Sequence, residues 1–201
     1  MYQHFKRNNS KMERPYIESK NFEKADISKS GLSLGDYEDC TFNNCDLSNL
    51  DLSGLHFTEC EFIGCNMSMV KLLKTTFNDV KLTSSKLVAL HFEDCNEFLF
   101  SIGIDHCQLT LSSFYRRKLK NTIFKNSTLQ KVDFTEADLT GSVFDHCDLA
   151  MATFENTILE MADFRTSFHY TINPGLNRIK KARFSMAGIA GLLSKYDMEV
   201  E

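Results

Sequence analysis

The sequence predicts an all-β solenoid, a chain wound in stacked coils around one continuous core, and three observations carry that prediction. Large apolar residues recur every five positions, through Val132–Phe164 as Phe134, Leu139, Phe144, Leu149, Phe154, Leu159 and Phe164. Two places before each stands a small or modest side chain, Val132, Ala137, Ser142, Cys147, Ala152, Thr157 and Ala162, so two positions in every five face inward. Like residues also stack at a spacing of twenty: Phe114, Phe134 and Phe154 share one column, and Phe124, Phe144 and Phe164 another. Leu109, Leu129 and Leu149, and Leu119, Leu139 and Leu159, form the columns between. A period of five fits neither a helix at roughly 3.6 nor a strand at about 2. A short fixed repeat marks an architecture whose neighbours bury together a core that no single repeat could bury alone. Twenty residues are four pentapeptides, so a chain turning a corner at each pentapeptide returns to the same side after four; a ten-residue period fits the alternation too.

The repeat runs in two ladders. The first has its centres from Phe22 through Phe42, Phe62 and Phe77 to Phe92; the second runs from Leu99 through Ile104, Phe124 and Phe144 to Phe164, two residues out of register with the first. The triplets Ala-Asp-Leu at 137–139, Ala-Asp-Phe at 162–164 and Cys-Asp-Leu at 45–47 and 147–149 resemble the loose signature of the pentapeptide-repeat family. The resemblance covers Phe22 to Phe184. It implies a right-handed, four-sided (quadrilateral) β-helix.

Three segments follow. Residues 1–20 are polar and expected to be a disordered lead-in; their Lys and Arg could touch an acidic surface or be merely solvated. Residues 21–184 form the β-helix, interrupted near 93–98, and residues 185–201 a C-terminal helix and tail. Chain length and 42% hydrophobic content suffice for one domain with a continuous core. No apolar run approaches a membrane span and the lead-in has no apolar signal core, so a cytoplasmic location is expected.

Catalytic and metal readings find no support in the spacing. Cys40, Cys45, Cys60, Cys65, Cys107 and Cys147 each occupy the small inward site, where a thiol behaves as a small hydrophobe. A flat ladder in a packed core does not supply the tetrahedral convergence that zinc requires. The Asp-His-Cys segments at 105–107 and 145–147 place histidine outward and cysteine inward, so neither forms a dyad. His4, His56, His91 and His169 are scattered, and no phosphate-binding loop or nucleophile elbow is present. Glu38/Asp39 and Glu93/Asp94 read as solvated surface. Asp46, Asp133, Asp138, Asp148 and Asp163 precede their centres, where a short carboxylate can bond the turning backbone. No catalytic residue, cofactor or metal is expected.

Two irregularities interrupt the rod. Between Phe92 and Leu99 the ladder carries two extra residues, and Glu97 falls where the next centre belongs. Insertions in solenoids map to loops that often bind partners, which makes Asp94, Asn96, Glu97 and Phe98 candidate contacts; a tolerated bulge is the other reading. Arg117 stands two before Leu119, nominally inward, where an unpaired guanidinium is costly. The backbone must deform there or Arg117 must find an acid.

After Phe184 the pattern turns helical. Ser185 is a plausible N-cap, and Met186, Ile189, Ala190, Leu193 and Tyr196 fall at helical spacing. The helix either caps the last coil, protecting an open edge, or pairs with the same helix of a second chain. The ending NRIKKARFSMAGIAGLLSKYDMEVE resembles the subgroup that holds the quinolone-resistance (Qnr) and the albicidin- and microcin-resistance proteins. That resemblance implies a non-enzymatic protein that binds DNA gyrase or topoisomerase IV by DNA mimicry and protects it from inhibitors. It also implies a homodimer seam at Met186, Ile189, Leu193 and Tyr196, and no direct contact with nucleic acid. The single short break, without longer projecting loops, brings the chain nearer the albicidin-resistance type. A generic interaction scaffold is the alternative. Residues 22–168 hold 22 acids and 13 bases, net −9, between ends of +3 and +2. An acidic body can be steered to a basic groove, yet this density lies far below the charge of duplex DNA, about one per 1.7 Å. Arg116, Lys118, Lys120 and Lys125 also cluster in one coil.

Overall fold

The computed structural model describes residues 14–24, 27, 31–196 and 198. Among these residues eleven strands, β1 to β11 in chain order, lie on two adjacent sides of a parallel solenoid. On the first side β1 (Tyr16–Glu18), β3 (Asp36–Glu38), β5 (His56–Thr58) and β7 (Thr76–Asn78) stack in that order. On the second, β2 (Asn21–Glu23), β4 (Thr41–Asn43), β6 (Glu61–Ile63), β8 (Val80–Thr83), β9 (Ile102–Asp105), β10 (Ile123–Lys125) and β11 (Val143–Asp145) form a seven-stranded sheet. The third and fourth sides are held by single bridges such as Asp46↔Asn66 and Asp51↔Lys71. Register decides between four pentapeptides per coil and two. Phe22 pairs with Phe42 and Phe42 with Phe62, each twenty residues on, so the solenoid is four-sided. β1 begins the stack inside the stretch expected to lead in, pairing Tyr16 with Asp36. The rest of that expectation, residues 1–13, lies outside the described residues.

The core is a set of ring ladders. Phe42 lies on Phe62 at 4.5 Å between centroids and Phe124 on Phe144 at 4.9 Å, near parallel. The fourth-side column meets the second-side column edge to face, Phe134 against Phe144 at 5.8 Å. Offset stacks and T-shaped contacts are the arrangements aromatic quadrupoles favour, and a coil rise equal to the strand spacing of about 4.8 Å puts every ring within that range of its neighbours.

The small inward residues do more than save space. Thr75 Oγ1 donates to the Leu52 carbonyl at 2.8 Å, Ser142 Oγ to that of Leu119 at 2.6 Å and Thr157 Oγ1 to that of Phe134 at 2.9 Å. Cys45, Cys60 and Cys65 aim their thiols at the carbonyls of Phe22, Tyr37 and Phe42. Each donor serves a central residue's carbonyl one coil below, a group buried with it and costly to leave unpaired. The reading of these cysteines as plain small hydrophobes missed that bond.

Most corners pass through a left-handed residue, and most of these are not glycine: Asp39 at φ 50°, Glu59 at 53°, Met69 at 56° and Met161 at 60° are examples. The carboxylate before a centre ties the corner down as expected. Asp46 accepts from the Ser48 amide and hydroxyl, Asp138 from those of Thr140, and Asp133, Asp148 and Asp163 from the amides of Thr135, Ala150 and Arg165. Bonds from Ser48 hold the Asp46 carboxyl below its usual range, and those from Ser53 do the same for Asp51. At Asp138 partial burial opposes ionisation, but the Thr140 bonds and Lys120 outweigh it. Arg165 lowers Asp163. A carboxyl depressed in the fold contributes stability above its unfolded pKa of about 3.9, and that contribution is lost as pH falls through the folded values. The urea midpoint is therefore expected to be level around neutrality and to drop steadily below about pH 5; a midpoint unchanged at pH 3 would refute this role for the aspartates.

The C-terminal segment departs from one continuous helix. A 3-10 turn at Met186–Gly188 leads into α1 (Ala190–Leu193) and a second 3-10 turn at Ser194–Tyr196. Ser185 is the N-cap, its hydroxyl accepting from the Gly188 amide at 3.1 Å. Two glycines in so short a segment, Gly188 in the first turn and Gly191 in α1, lower its helical propensity, and both are needed because the segment presses on Tyr170. A Cβ at Gly188 would strike the Tyr170 phenol, and one at Gly191 the Tyr170 carbonyl oxygen. The Ile172 amide donates to the Gly191 carbonyl at 3.0 Å and Leu192 packs on the core, so the segment closes the last coil.

Candidate partner-binding surface

The interruption after Phe92 is resolved by one tight turn. A 3-10 turn at Phe92–Asp94 leads to Cys95 and Asn96, still in regular register, with the Asn96 amide donating to the Thr75 carbonyl at 2.8 Å. The next regular anchor is the Ser101 amide on the Phe77 carbonyl at 2.9 Å. From there each residue sits twenty-two above its partner, as in Leu82↔Ile104 and the Phe92 and Phe114 rings stacked at 4.5 Å; beyond this coil the interval returns to twenty. The two extra residues are thus absorbed within Glu97–Phe100. Leu99, expected to restart the ladder as a buried centre, is 56% exposed in a left-handed conformation, and Phe100 turns inward instead against Phe77 and Phe92. Phe100 can reach the core because it follows the left-handed residue that reverses the chain.

Arg117 belongs to the same feature. It is 5% exposed, with its guanidinium 4.3 Å over the Phe100 ring and its Nη2 donating to the Asn96 carbonyl at 2.9 Å. Of the two alternatives foreseen for Arg117 the first holds, since the backbone departs from regularity below it; in place of the expected acid, a carbonyl and a ring face serve as its partners. Cys95 lies beside it, and burial pushes that thiol up to about 12 against the opposing pull of Arg117.

Of the four residues singled out at the break, three share a place. Asn96, Glu97 and Phe98, with Leu99, wall a groove of about 460 Å³ whose floor is His56, Thr58, Thr76 and Asn78 of the first side. Phe98 stands 79% exposed. Asn96 is tied to the rod, its Nδ2 donating to Thr76 Oγ1 at 2.7 Å, and Glu97 pairs with Lys118 at 2.6 Å. Asp94 lies apart, beside a groove lined by Asp51, Met69, Leu73 and His91.

Next to the Phe98 groove runs an acidic edge; outward acids were expected to form a charge track, but of this edge only Asp39 had been named, as solvated surface. Asp39, Glu59 and Asp79 occupy the same exposed corner in successive coils, and with Glu61, Thr41 and Lys81 they line one cleft. Glu18 and Glu38 flank them on β1 and β3. The signal that could have found the edge is the twenty-residue spacing applied to outward positions rather than to the core alone. Above the break the corner holds Asn121, Gly141, Met161 and Lys181, so the acidic run ends there.

Family models match both sides of the break. One for a pentapeptide repeat region covers residues 36–99, and one for pentapeptide repeats in eight copies covers residues 107–145. The chain belongs to the pentapeptide-repeat family. No curated protein matches it in sequence. Among solved structures it is similar to trypsin-treated QnrB1, a plasmid-mediated fluoroquinolone resistance protein, at 17% identity over 92% of this chain and 97% of that one, with a TM-score of 0.46. It is similar also to HetL of the cyanobacterium Nostoc sp. strain PCC 7120, a pentapeptide repeat protein involved in heterocyst differentiation regulation. That match has 15% identity over 87% of this chain and 86% of that one, with a TM-score of 0.46.

Elsewhere on this pentapeptide-repeat rod the reactive residue types are kept apart. His146 is exposed and bonded to Asp145 at 2.7 Å, whereas Cys147 faces the core, its thiol raised by burial to about 12. Among the described residues no three His, Cys, Asp or Glu side chains converge as metal ligands, and no helix is long and apolar enough to cross a membrane. At the C-terminal end Met186 is 89% exposed, Tyr196 is exposed, Ile189 marginally so, and Leu193 is half-buried.

Proposed function

We propose that this is a non-catalytic binding protein whose first side docks on a basic groove of a partner, and that the partner is a bacterial type II topoisomerase, gyrase or topoisomerase IV. By occupying that groove the protein shields the enzyme from inhibitors such as quinolones or albicidin. The observation that carries the reading is the acidic edge of Asp39, Glu59 and Asp79 beside the exposed Phe98. Aligned carboxylates raise the rate of encounter with a positive surface, and an exposed aromatic beside them supplies the apolar contact that holds a complex once formed. The topoisomerase as partner is what the resemblance of the C-terminal segment implies. Mimicry is local in this reading: one corner carboxylate per coil, about 4.8 Å apart, over three coils. The homodimer belongs to the same proposal, with Met186, Ile189, Leu193 and Tyr196 as its seam.

A specific observation favours the second reading, a scaffold for an unrelated partner. The acidic edge stops at the break, and the last coil carries Arg178, Lys180, Lys181 and Arg183, so the rod is mixed in charge along its length. Supercoiling by purified gyrase, with a fluoroquinolone or albicidin present and the protein titrated in, separates the two. Rescue at concentrations below those that inhibit the enzyme alone is the expected outcome. Neither rescue nor inhibition would remove the topoisomerase and leave a scaffold whose partner is to be sought by pull-down.

A further inference from the structure

We infer that Arg117 is the positioning residue of the break: from inside the rod it fixes the Glu97–Phe100 turn so that Phe98 and Leu99 stand over the first side as the apolar anchor for a protein partner that is basic around an apolar pocket. The inference rests on the reading of that side as a partner surface and adds to it the residue that shapes the surface.

The column that holds Arg117 otherwise carries Leu55, Thr75, Cys95, Ala137 and Thr157, all smaller and uncharged. A guanidinium fits only because the coil below has no regular centre on the first side, where Glu97 is turned out and Phe100 fills part of the space. Apart from Cys95 beside it, its side-chain contacts go to the turn. Nη2 bonds the carbonyl of Asn96, the last residue in the old register, and the planar face covers the ring of Phe100, which turns the chain back inward. One cation thereby holds both ends of the insertion.

Besides the Phe100 ring packed on Phe77 and Phe92 and the Asn96 side chain bonded to Thr76, the turn has little else to fix it. Between the anchors at Asn96 and Ser101 it has one long backbone bond, the Phe100 amide to the Glu97 carbonyl at 3.4 Å, and the exposed Glu97–Lys118 pair. Exposed pairs of that kind contribute little. Arg117 also carries a cost, since its Nε is buried without a hydrogen-bond partner. An apolar side chain at this place would serve the core better, and a residue that breaks a local rule marks a site under another demand. Lysine could bond the Asn96 carbonyl but could not also lie flat on the ring.

The partner's chemistry follows from what the turn adjoins. The Phe98 groove lies next to the Asp39, Glu59 and Asp79 edge, so a surface complementary to both presents cations along the rod and a cavity for an aromatic ring at the break.

Hydrogen exchange at individual amides tests the inference without any partner. Arg117→Met is expected to speed exchange of the Asn96 and Ser101 amides by about tenfold or more while Lys81 and Gln108, in regular coils, change by less than about twofold. Arg117→Lys should fall between. Unchanged exchange at the turn, or equal acceleration along the whole rod, would overturn the assignment. If Arg117→Met does not fold, Phe100→Leu, which keeps apolar volume and removes the ring, is read the same way. In the gyrase assay Arg117→Met and Phe98→Ala should lose rescue alike. A wild-type protein that gives no rescue, with the turn still loosened in Arg117→Met, defeats the topoisomerase reading and leaves the positioning role standing.

Discussion

Replacing Phe134 by Ala is expected to remove about 3–5 kcal/mol of stability, read as a fall in the urea midpoint with little change in slope. Phe134 is fully buried and touches four other rings, stacked on Phe114 at 5.4 Å and Phe154 at 5.2 Å and edge-on to Phe124 and Phe144, both at 5.8 Å. The cost exceeds that of simple transfer because the cavity cannot collapse. The backbone on either side is pinned at the strand spacing by inter-coil hydrogen bonds, so neighbouring rings have no freedom to move in. Stability in a stacked rod is a sum of coil and interface terms, and one vacancy here weakens the interface above and the one below. Phe22, among the described residues, has its column partner Phe42 on one side only, at 4.7 Å, and is 8% exposed. Phe22→Ala should therefore cost distinctly less. Equal losses at the two positions would mean that the coils do not couple as the ring ladders require.

The same ladders explain what could be read from the sequence. A period of five with like residues at twenty is a geometric statement about the chain, and burial follows it at Phe42, Phe62, Phe124 and Phe144 because nothing but the period decides which side chains face in. The break resisted that reading. Extrapolating the phase made Leu99 the next centre, whereas the turn exposes it and substitutes Phe100, a choice set by the left-handed residue at 99 and by the ring stack waiting on Phe77 and Phe92. Arg117 seemed a separate anomaly because it is twenty residues further on; one coil of the rod is all that separates them in space. Asp94 was grouped with Asn96, Glu97 and Phe98 by adjacency in the chain, yet a corner comes between them and sends it to another side. The acidic edge of Asp39, Glu59 and Asp79 is likewise a relation between coils, visible only when outward positions are compared at the same interval as the core.

Gly191→Ala is expected to lift the C-terminal segment off the rod. The added Cβ would meet the carbonyl oxygen of Tyr170 and would sit 3.1 Å from its ring, with no flexible group available to yield. The bond from the Ile172 amide to the Gly191 carbonyl holds the two backbones together at that point, so strain cannot be relieved without breaking it. Overpacking against rigid neighbours costs about 1–3 kcal/mol, comparable with what so short a helix gains by docking Leu192, and the loss should appear as an early melting phase of the cap before the rod unfolds. Ile189→Asp with Leu193→Asp acts on residues that are partly solvent-accessible, and leaves Gly188, Gly191 and the Tyr170 contact in place. If the segment is the seam of a dimer, sedimentation velocity should find the double aspartate variant monomeric with its cap still melting together with the rod. Gly191→Ala should lose the dimer and the cap together. A dimer that survives both changes would put the seam elsewhere and leave the segment one task, closing the last coil over Tyr170 and Ile172, which are buried there.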